Sequence, residues 1–343
     1  MSRTSTFRLR HRVSALAAGL GVAALALAAC SGGGEAGEGA GPSQPTTGEA
    51  TTRAQRLPFT GEVVDGDVPQ RRGIVVKIDN SDKAQPQTGL GSADLVVEQL
   101  VEGGTTRLAV LFHSALPRKA GPVRSVRASD IGIVSPTDAL LAASGGAPQT
   151  VRRIRDADID LATEGAPGFS RDPSRSAPYN LMLDVARLSD TDQPADPPPD
   201  YLPWGRPGAL RGGEPARTVT ARFSPAHTAT WTFASSRWRR SPNFAAAGDD
   251  IAVDSVLVLR VRLVDAGYRD PAGNPVPETV LTGKGAATLF SGGRAYAATW
   301  TKRSAGAPLR LVTARGEPLR VPPGHTWIEL VPTTQGGDLR FRR

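Results

Sequence analysis

Thirty-eight glycines and 29 prolines, spread through 343 residues, leave few stretches in which a long helix could run. Glycine adds backbone entropy to the cost of folding, and proline removes an amide donor. The chain must therefore be built from short elements joined by turns. Apolar residues at 39% still suffice for sizeable cores, and the length suits about two domains. Residues 57–189 read as a mixed α/β domain. Strands are expected at 73–78, 93–98 and 106–112, with Gly103-Gly104 turning the last two into a hairpin. A short apolar run covers 139–143, and helices are expected at 149–156 and 180–188. Residues 190–214, opening DTDQPADPPPD, form a Pro-rich connector. Residues 215–343 read as β-rich, with strands near 218–223, 228–233, 255–264, 285–290, 294–301, 309–313 and 326–331. The fold class expected is α+β, a mixed α/β segment followed by a β-rich one.

The N-terminus carries an address rather than a fold. Arg3, Arg8, Arg10 and Arg12 precede an uncharged Ala/Leu-rich stretch of 17 residues, 13–29, which ends in Leu27-Ala28-Ala29-Cys30. A basic region, an apolar region and small residues before a cleavage point are the parts of a secretory signal peptide, here residues 1–29. The final four residues resemble the lipobox of bacterial lipoprotein precursors. That resemblance implies cleavage before Cys30 and acylation of its thiol by fatty chains such as palmitate. Each buried methylene contributes about 0.8 kcal/mol, so a diacylglyceryl group supplies a stable anchor. The apolar stretch is shorter than the ~20 residues that cross a bilayer comfortably. Cys30 is the one cysteine, so no disulfide can form within the chain. Residues 30–56 hold the lipidated cysteine and a linker poor in large apolar residues, whose 31–52 stretch has a random-coil span of roughly 25 Å. The expected location is the cell membrane, lipid-anchored, on its extracytoplasmic side.

The net charge of +8 suggests nucleic acid until it is divided along the chain. Four of the 41 basic residues lie in the signal, and the remaining 37 against 33 acidic residues leave +4. No basic run interleaved with aromatics marks a nucleic-acid groove, so that partner class is rejected.

Through the order of its motifs the chain resembles the YerB-like family of bacterial lipoproteins. In the first segment these are IDN at 78–80, AQPQTGL at 84–90, ADLVVE at 93–98, VEGGTTR at 101–107, GPVRSVR at 121–127, RDPSR at 171–175 and APYNL at 177–181. In the second they are GKG at 283–285, WTK at 300–302 and PGHTWI at 323–328. The resemblance implies an N-terminal and a C-terminal family domain and supports the lipoprotein reading. It supplies no chemistry.

Chemistry has to come from side chains, and no catalytic residue is assigned. His113, His227 and His325 are widely spaced and outside any HExxH pattern, and no G-x-S-x-G elbow occurs. What remains is a set of polar residues at turns. Arg107, Arg124, Arg127, Arg171, Arg175 and Asn80 are candidates for holding an anion, because a guanidinium presents a planar fork to phosphate or carboxylate oxygens. The stretch 93–130 also resembles LytR-CpsA-Psr wall-polymer transferases. That likeness implies an alternative in which Asp94 or Asp130 stands near Mg²⁺ and Arg107, Arg124 and Arg127 grip a lipid-linked pyrophosphate. The leading expectation is a non-catalytic envelope lipoprotein needing no cofactor, which binds an anionic ligand (a cell-wall polymer or lipid-linked precursor) or a protein partner. A metal-dependent phosphotransferase or hydrolase is the alternative, with Mg its cofactor.

Overall fold

The computed structural model describes residues 55–343, so the signal, Cys30 and nearly all of the linker lie outside it. The first segment forms β1 (Gln55–Arg56), β2 (Val63–Val64), β3 (Ile74–Asp79), β4 (Leu95–Leu100), β5 (Thr106–Phe112), β6 (Leu140–Ala142), β7 (Leu161–Ala162), β8 (Phe169–Arg171) and β9 (Leu181–Leu183). Its helices are α1 (Asp130–Val134), α2 (Pro148–Asp156) and α3 (Val185–Ser189). The second segment forms β10 (Glu214–Pro215), β11 (Thr218–Ser224), β12 (His227–Ala234), β13 (Arg237–Ser241), β14 (Ser255–Arg269), β15 (Pro275–Val280), β16 (Gly283–Ser291), β17 (Arg294–Lys302), β18 (Arg310–Val312), β19 (Thr326–Pro332) and β20 (Asp338–Arg342).

One 12-stranded sheet runs through both segments, in the order β10-β17-β16-β14-β19-β4-β5-β3-β6-β7, with β15 and β18 attached to β14 and β17. The join is β19, which lies parallel to β14 on one side and to β4 on the other. Every residue of β3, β4, β5 and β19 is buried. Central strands covered on both faces must read as continuous apolar runs, and IVV, LVV and LAVLF do so. The β4–β5 connection turns at Gly103 and Gly104 with φ of 70° and 73°, a conformation that carries no Cβ penalty only in glycine.

Two apolar layers flank this sheet. On one side the four-stranded antiparallel sheet β13-β12-β11-β20 contributes Phe223, Trp231 and Trp238, which pack over Val96, Val110, Val256 and Trp327. Trp231 meets Trp327 edge-on at 5.3 Å, and Trp238 meets Phe290 at 5.9 Å. On the other side Ile133 and Val134 of α1, Ile154 of α2, and Leu202 and Trp204 of the connector cover Val97, Leu111, Leu257 and Ile328.

Sheet dominates both segments, which corrects the mixed α/β character expected for residues 57–189: α1 and α3 have five residues each and α2 has nine. The helix expected at 149–156 forms, but that at 180–188 gives way to β9 followed by α3. Leu181–Leu183 are held by β8, and Leu183 exchanges backbone hydrogen bonds with Ala120. Asp184 then caps α3, its side chain accepting from the Arg187 amide. Strands β13 and β15 pass unnoticed in the sequence because RWRRS is charged and PVPETV carries two prolines. Proline is tolerated there because β15 pairs with β14 as an off-path strand.

Candidate functional site

The ends of β3, β4 and β5 near Asp79, Leu100 and Thr106 hold most of the buried charge. Alternation along each strand divides it between the two faces of the sheet. On the face toward the four-stranded sheet, Glu98 is fully buried. It accepts from Asn80 Nδ2 at 2.9 Å, Thr106 Oγ1 at 2.7 Å and Arg240 Nη2 at 3.0 Å, with His227 Nε2 at 2.8 Å. Burial alone would raise this carboxyl, but Arg240, His227 and Thr106 outweigh it and hold it at about 2. Glu329 is its register partner on β19. Burial, together with the neighbouring Glu98 charge, pushes the Glu329 carboxyl well above the usual range, although Trp231 Nε1 donates to it at 2.7 Å. The two facing carboxyls are thereby pushed in opposite directions, Glu98 toward the ionised form and Glu329 toward the protonated one.

On the opposite face, Lys77 Nζ lies 2.7 Å from Asp130 Oδ1, and both side chains are fully buried. Gln99 Nε2 donates to the same oxygen at 2.7 Å, and the Arg127 amide donates to Oδ2 at 2.7 Å. Burial, with Arg107 and Arg127 nearby, lowers the Lys77 ammonium against the pull of Asp130. Arg127 makes a two-pronged pair with Glu102, its Nε donating at 2.7 Å. Arg107 donates to the Ser125 carbonyl at 2.8 Å and lies 3.6 Å from Glu102. Burial lowers Arg107 to about 10, whereas Arg127 and Arg107 overcome the burial of Glu102 and hold it at about 2.

The structure thus brings Arg107, Arg124 and Arg127 together, but their charges are largely committed. Arg107 and Arg127 are buried among carboxylates and carbonyls. Arg124 is partly exposed, 2.8 Å from Asp79 and 5.2 Å from the centre of the Tyr179 ring. Asn80 is on the other face of the sheet, bound to Glu98. Arg175 pins its loop by donating to the carbonyls of Ala84, Pro86 and Tyr179. Arg171 stands apart, pairing with Glu164 at 2.7 Å and donating to Asn180 at 2.7 Å.

Asp94 and Asp130 do not share a cation site. Asp94 precedes β4 and accepts from the amides of His113 at 2.6 Å and Ser114 at 2.9 Å, while Asp130 meets Gln99 five residues further along. A cation at Asp130 would have to displace the Lys77 ammonium, and among the described residues no group of His, Cys, Asp and Glu has metal-binding geometry.

Arg171 has other company. It lines a cleft of about 440 Å³ with Arg118, Lys119 and Arg187, above Met182. Lys119 is paired with Asp172 at 2.7 Å, which holds that carboxyl below the usual range. The Arg118 side chain is 86% exposed and only 4.0 Å from Asp184 at its nearest. Neither Arg118 nor Arg187 stands out in the sequence, because nothing there shows that 118–119, 171–172 and 187 meet. Lys77, Gln99 and Glu329 carried a signal that could have been read: each interrupts an otherwise apolar buried strand.

The class defined by this fold is a β-rich protein in which two sequence segments share one sheet. Residues 59–196 match the N-terminal domain, and residues 219–328 the C-terminal domain, of a protein of unknown function (DUF3048). The chain belongs to this family. It is 25% identical over 307 residues to the protein named "Putative lipoprotein YerB" of Bacillus subtilis (strain 168), covering 84% of this chain and 90% of that one. The crystal structure of the Bacillus subtilis YerB protein superposes with a TM-score of 0.70 at 22% identity, covering 83% of this chain and 99% of that one.

Proposed function

We propose that this chain is a membrane-anchored lipoprotein of the cell envelope that binds an anionic envelope ligand in the cleft formed by Arg118, Lys119, Arg171 and Arg187. The anchor reading rests on Cys30 behind its lipobox and agrees with the name of the Bacillus relative. Among the described residues no helix is long and apolar enough to cross a membrane. The observation that carries the binding reading is the cleft itself. Four exposed basic side chains converge on a volume that would take a phosphorylated group, and of these Lys119 and Arg171 are held by Asp172 and Glu164 at 2.7 Å. Guanidinium forks, here presented from the segment after β5, from β8 and from α3, suit phosphate or carboxylate oxygens. The proposal is for binding, with no group assigned as a nucleophile.

Calorimetric titration of the full-length protein, in a mild non-ionic detergent, with inorganic pyrophosphate tests it. Arg118→Gln/Arg187→Gln is expected to weaken binding at least tenfold, or about 1.4 kcal/mol. Equal affinity in wild type and variant would remove the cleft from consideration. Turnover of pyrophosphate in the same samples would favour phosphoryl transfer instead. For the anchor, Cys30→Ser should abolish labelling by a fatty-acid probe, and persistent labelling would contradict it.

A further inference from the structure

The four-stranded sheet has a second face. Val219, Ala221, Phe223, Trp231 and Trp238 point into the core, so alternation sends their neighbours outward. Strand pairing then orders the outward side chains into rows. Thr218 lies opposite Thr232 on one side and Arg342 on the other, and Thr232 lies opposite Arg239. In the next row Thr220 lies between Thr230 and Arg340, and Thr230 faces Ser241. A third row sets Arg222 between Thr228 and Asp338.

The result is a floor of threonine hydroxyls with arginines along both margins. Arg237 and Arg239 stand on β13, and Arg340 and Arg342 on β20. All four are exposed, as is Arg222 at one end. The compensating carboxylates lie at the rim: Asp254 is 3.5 Å from Arg237, Asp250 is 3.2 Å from Arg239, and Asp338 is 2.7 Å from Arg340. Arg222 and Arg342 have no carboxylate within ion-pair distance among the described residues. Threonine is what a solvated sheet face favours. Arginines repeated at every second residue on both edges need a further reason, since one charge on each edge would already guard against stray strand pairing.

We infer that this face binds a linear polyanion of the polyol phosphodiester class. Arg340 and Arg342 stand two residues apart on one strand, roughly 7 Å along it, and the two margins are three strand spacings or roughly 14 Å apart. A three-carbon polyol phosphodiester, such as 1,3-linked glycerol phosphate, repeats its charge every six backbone bonds, roughly 7 Å when extended. A chain lying along either margin therefore meets one guanidinium per phosphate, and the threonine hydroxyls are free to donate to phosphate oxygens between them. Two other polyanionic partners fit less well. Single-stranded nucleic acid needs aromatic side chains on which bases stack, and the outward rows contain none. A bilayer surface needs apolar side chains that enter it. Phe341, the one large apolar residue exposed on β20, alternates to the other side and packs on Phe290 at 5.5 Å.

The face and the cleft use different residues, so each proposal stands or falls separately. The test is binding of fluorescent poly(glycerol phosphate) to the full-length protein in non-ionic detergent, measured by anisotropy between 50 and 200 mM salt. With two phosphates neutralised along one margin, counterion release predicts about sevenfold weaker binding across that range, and Arg237→Gln/Arg239→Gln/Arg340→Gln/Arg342→Gln, which empties both margins, should nearly abolish the change. Thr220→Glu, which sets a carboxylate in the middle of the floor, should weaken binding at low salt without altering thermal unfolding. An unchanged salt slope in the arginine variant would overturn the inference. So would binding to phosphatidylglycerol vesicles with none to the free polymer. Loss of polymer binding in Arg118→Gln/Arg187→Gln, with none in the face variants, would move the polymer to the cleft and refute this face alone.

Discussion

Substituting Glu329 by glutamine tests the buried acid pair through its pH dependence. Glu98 and Glu329 face each other across β4 and β19, both fully buried, with the first held ionised at about 2 and the second pushed well above the usual carboxyl range by burial and by Glu98. A group whose native value is raised binds a proton in the folded state that the unfolded chain has released. Its contribution is full below the unfolded value of 4.5 and is lost as pH climbs through the native value. Over that window wild-type stability should fall by about 1.4 kcal/mol for every pH unit, relative to a protein lacking the group. Glutamine has the same shape. Its carbonyl oxygen can accept from Trp231, its amide can donate to Glu98, and it does not titrate. Urea unfolding of both proteins, followed by tryptophan fluorescence because Trp231 and Trp327 lie at the pair, gives the difference in stability at each pH. Groups common to both proteins cancel. Glu329→Gln should match wild type below the unfolded value of 4.5 and gain on it as pH rises above that value. Parallel curves on either side of that value would refute the reading of Glu329 as a carboxyl raised by burial and by Glu98.

Two further substitutions probe the same layers. Asp130→Asn leaves the Lys77 ammonium buried without its counter-charge and should cost about 3–5 kcal/mol in denaturant unfolding, whereas Lys77→Met/Asp130→Leu should recover most of the loss. Arg240→Met removes the cation nearest Glu98. That carboxyl should then rise, and the stability it contributes above the unfolded value should be lost at a higher pH on acidification than in wild type. An unfolding curve with an unmoved acid limb would exclude Arg240 as the group that holds Glu98 ionised.

Much of the architecture could be read from the sequence, because buried strands advertise themselves. The 106–112 run became β5 with the expected limits, the strand expected at 73–78 formed one residue later, and those expected at 255–264 and 326–331 formed with longer ends. The hairpin turn at Gly103-Gly104 was legible from residue type alone. What escaped was decided by distant partners. Leu181–Leu183 carry a helical pattern, but pairing with Phe169–Arg171 and Ala120 makes them a strand. The continuity of the 12-stranded sheet rests on β19 pairing with β4 across more than two hundred residues, and no local signal announces it. The candidate site divides the same way. Arg107, Arg124 and Arg127 stood out as candidates for holding an anion, but the sequence did not say whether they meet; in the fold they lie near one another. Their partners Glu102, Asp79 and the Ser125 carbonyl, which leave little charge free, could be identified only in three dimensions. Arg171 was singled out as a turn residue, while the cleft it shares with Arg118 and Arg187 depends on β8, α3 and the segment after β5 meeting.

The sequence Leu95-Val96-Val97-Glu98-Gln99-Leu100 places its two polar residues next to each other, and therefore on opposite faces of the central sheet. Gln99 ties β4 to its own segment through Asp130 and Lys77. Glu98 ties β4 to the other segment through His227, Arg240 and, one strand away, Glu329. A slip of β19 by one residue against β4 would turn Trp327 away from Trp231 and Glu329 away from Glu98, and leave Trp231 Nε1 without its acceptor. Buried charge seldom adds much net stability, because desolvation consumes most of the Coulombic gain. In a long sheet assembled from two segments, its larger effect is to make every register but one expensive. Glu98 and Glu329, with the Trp231–Trp327 contact beside them, thus specify how the two segments join in one sheet.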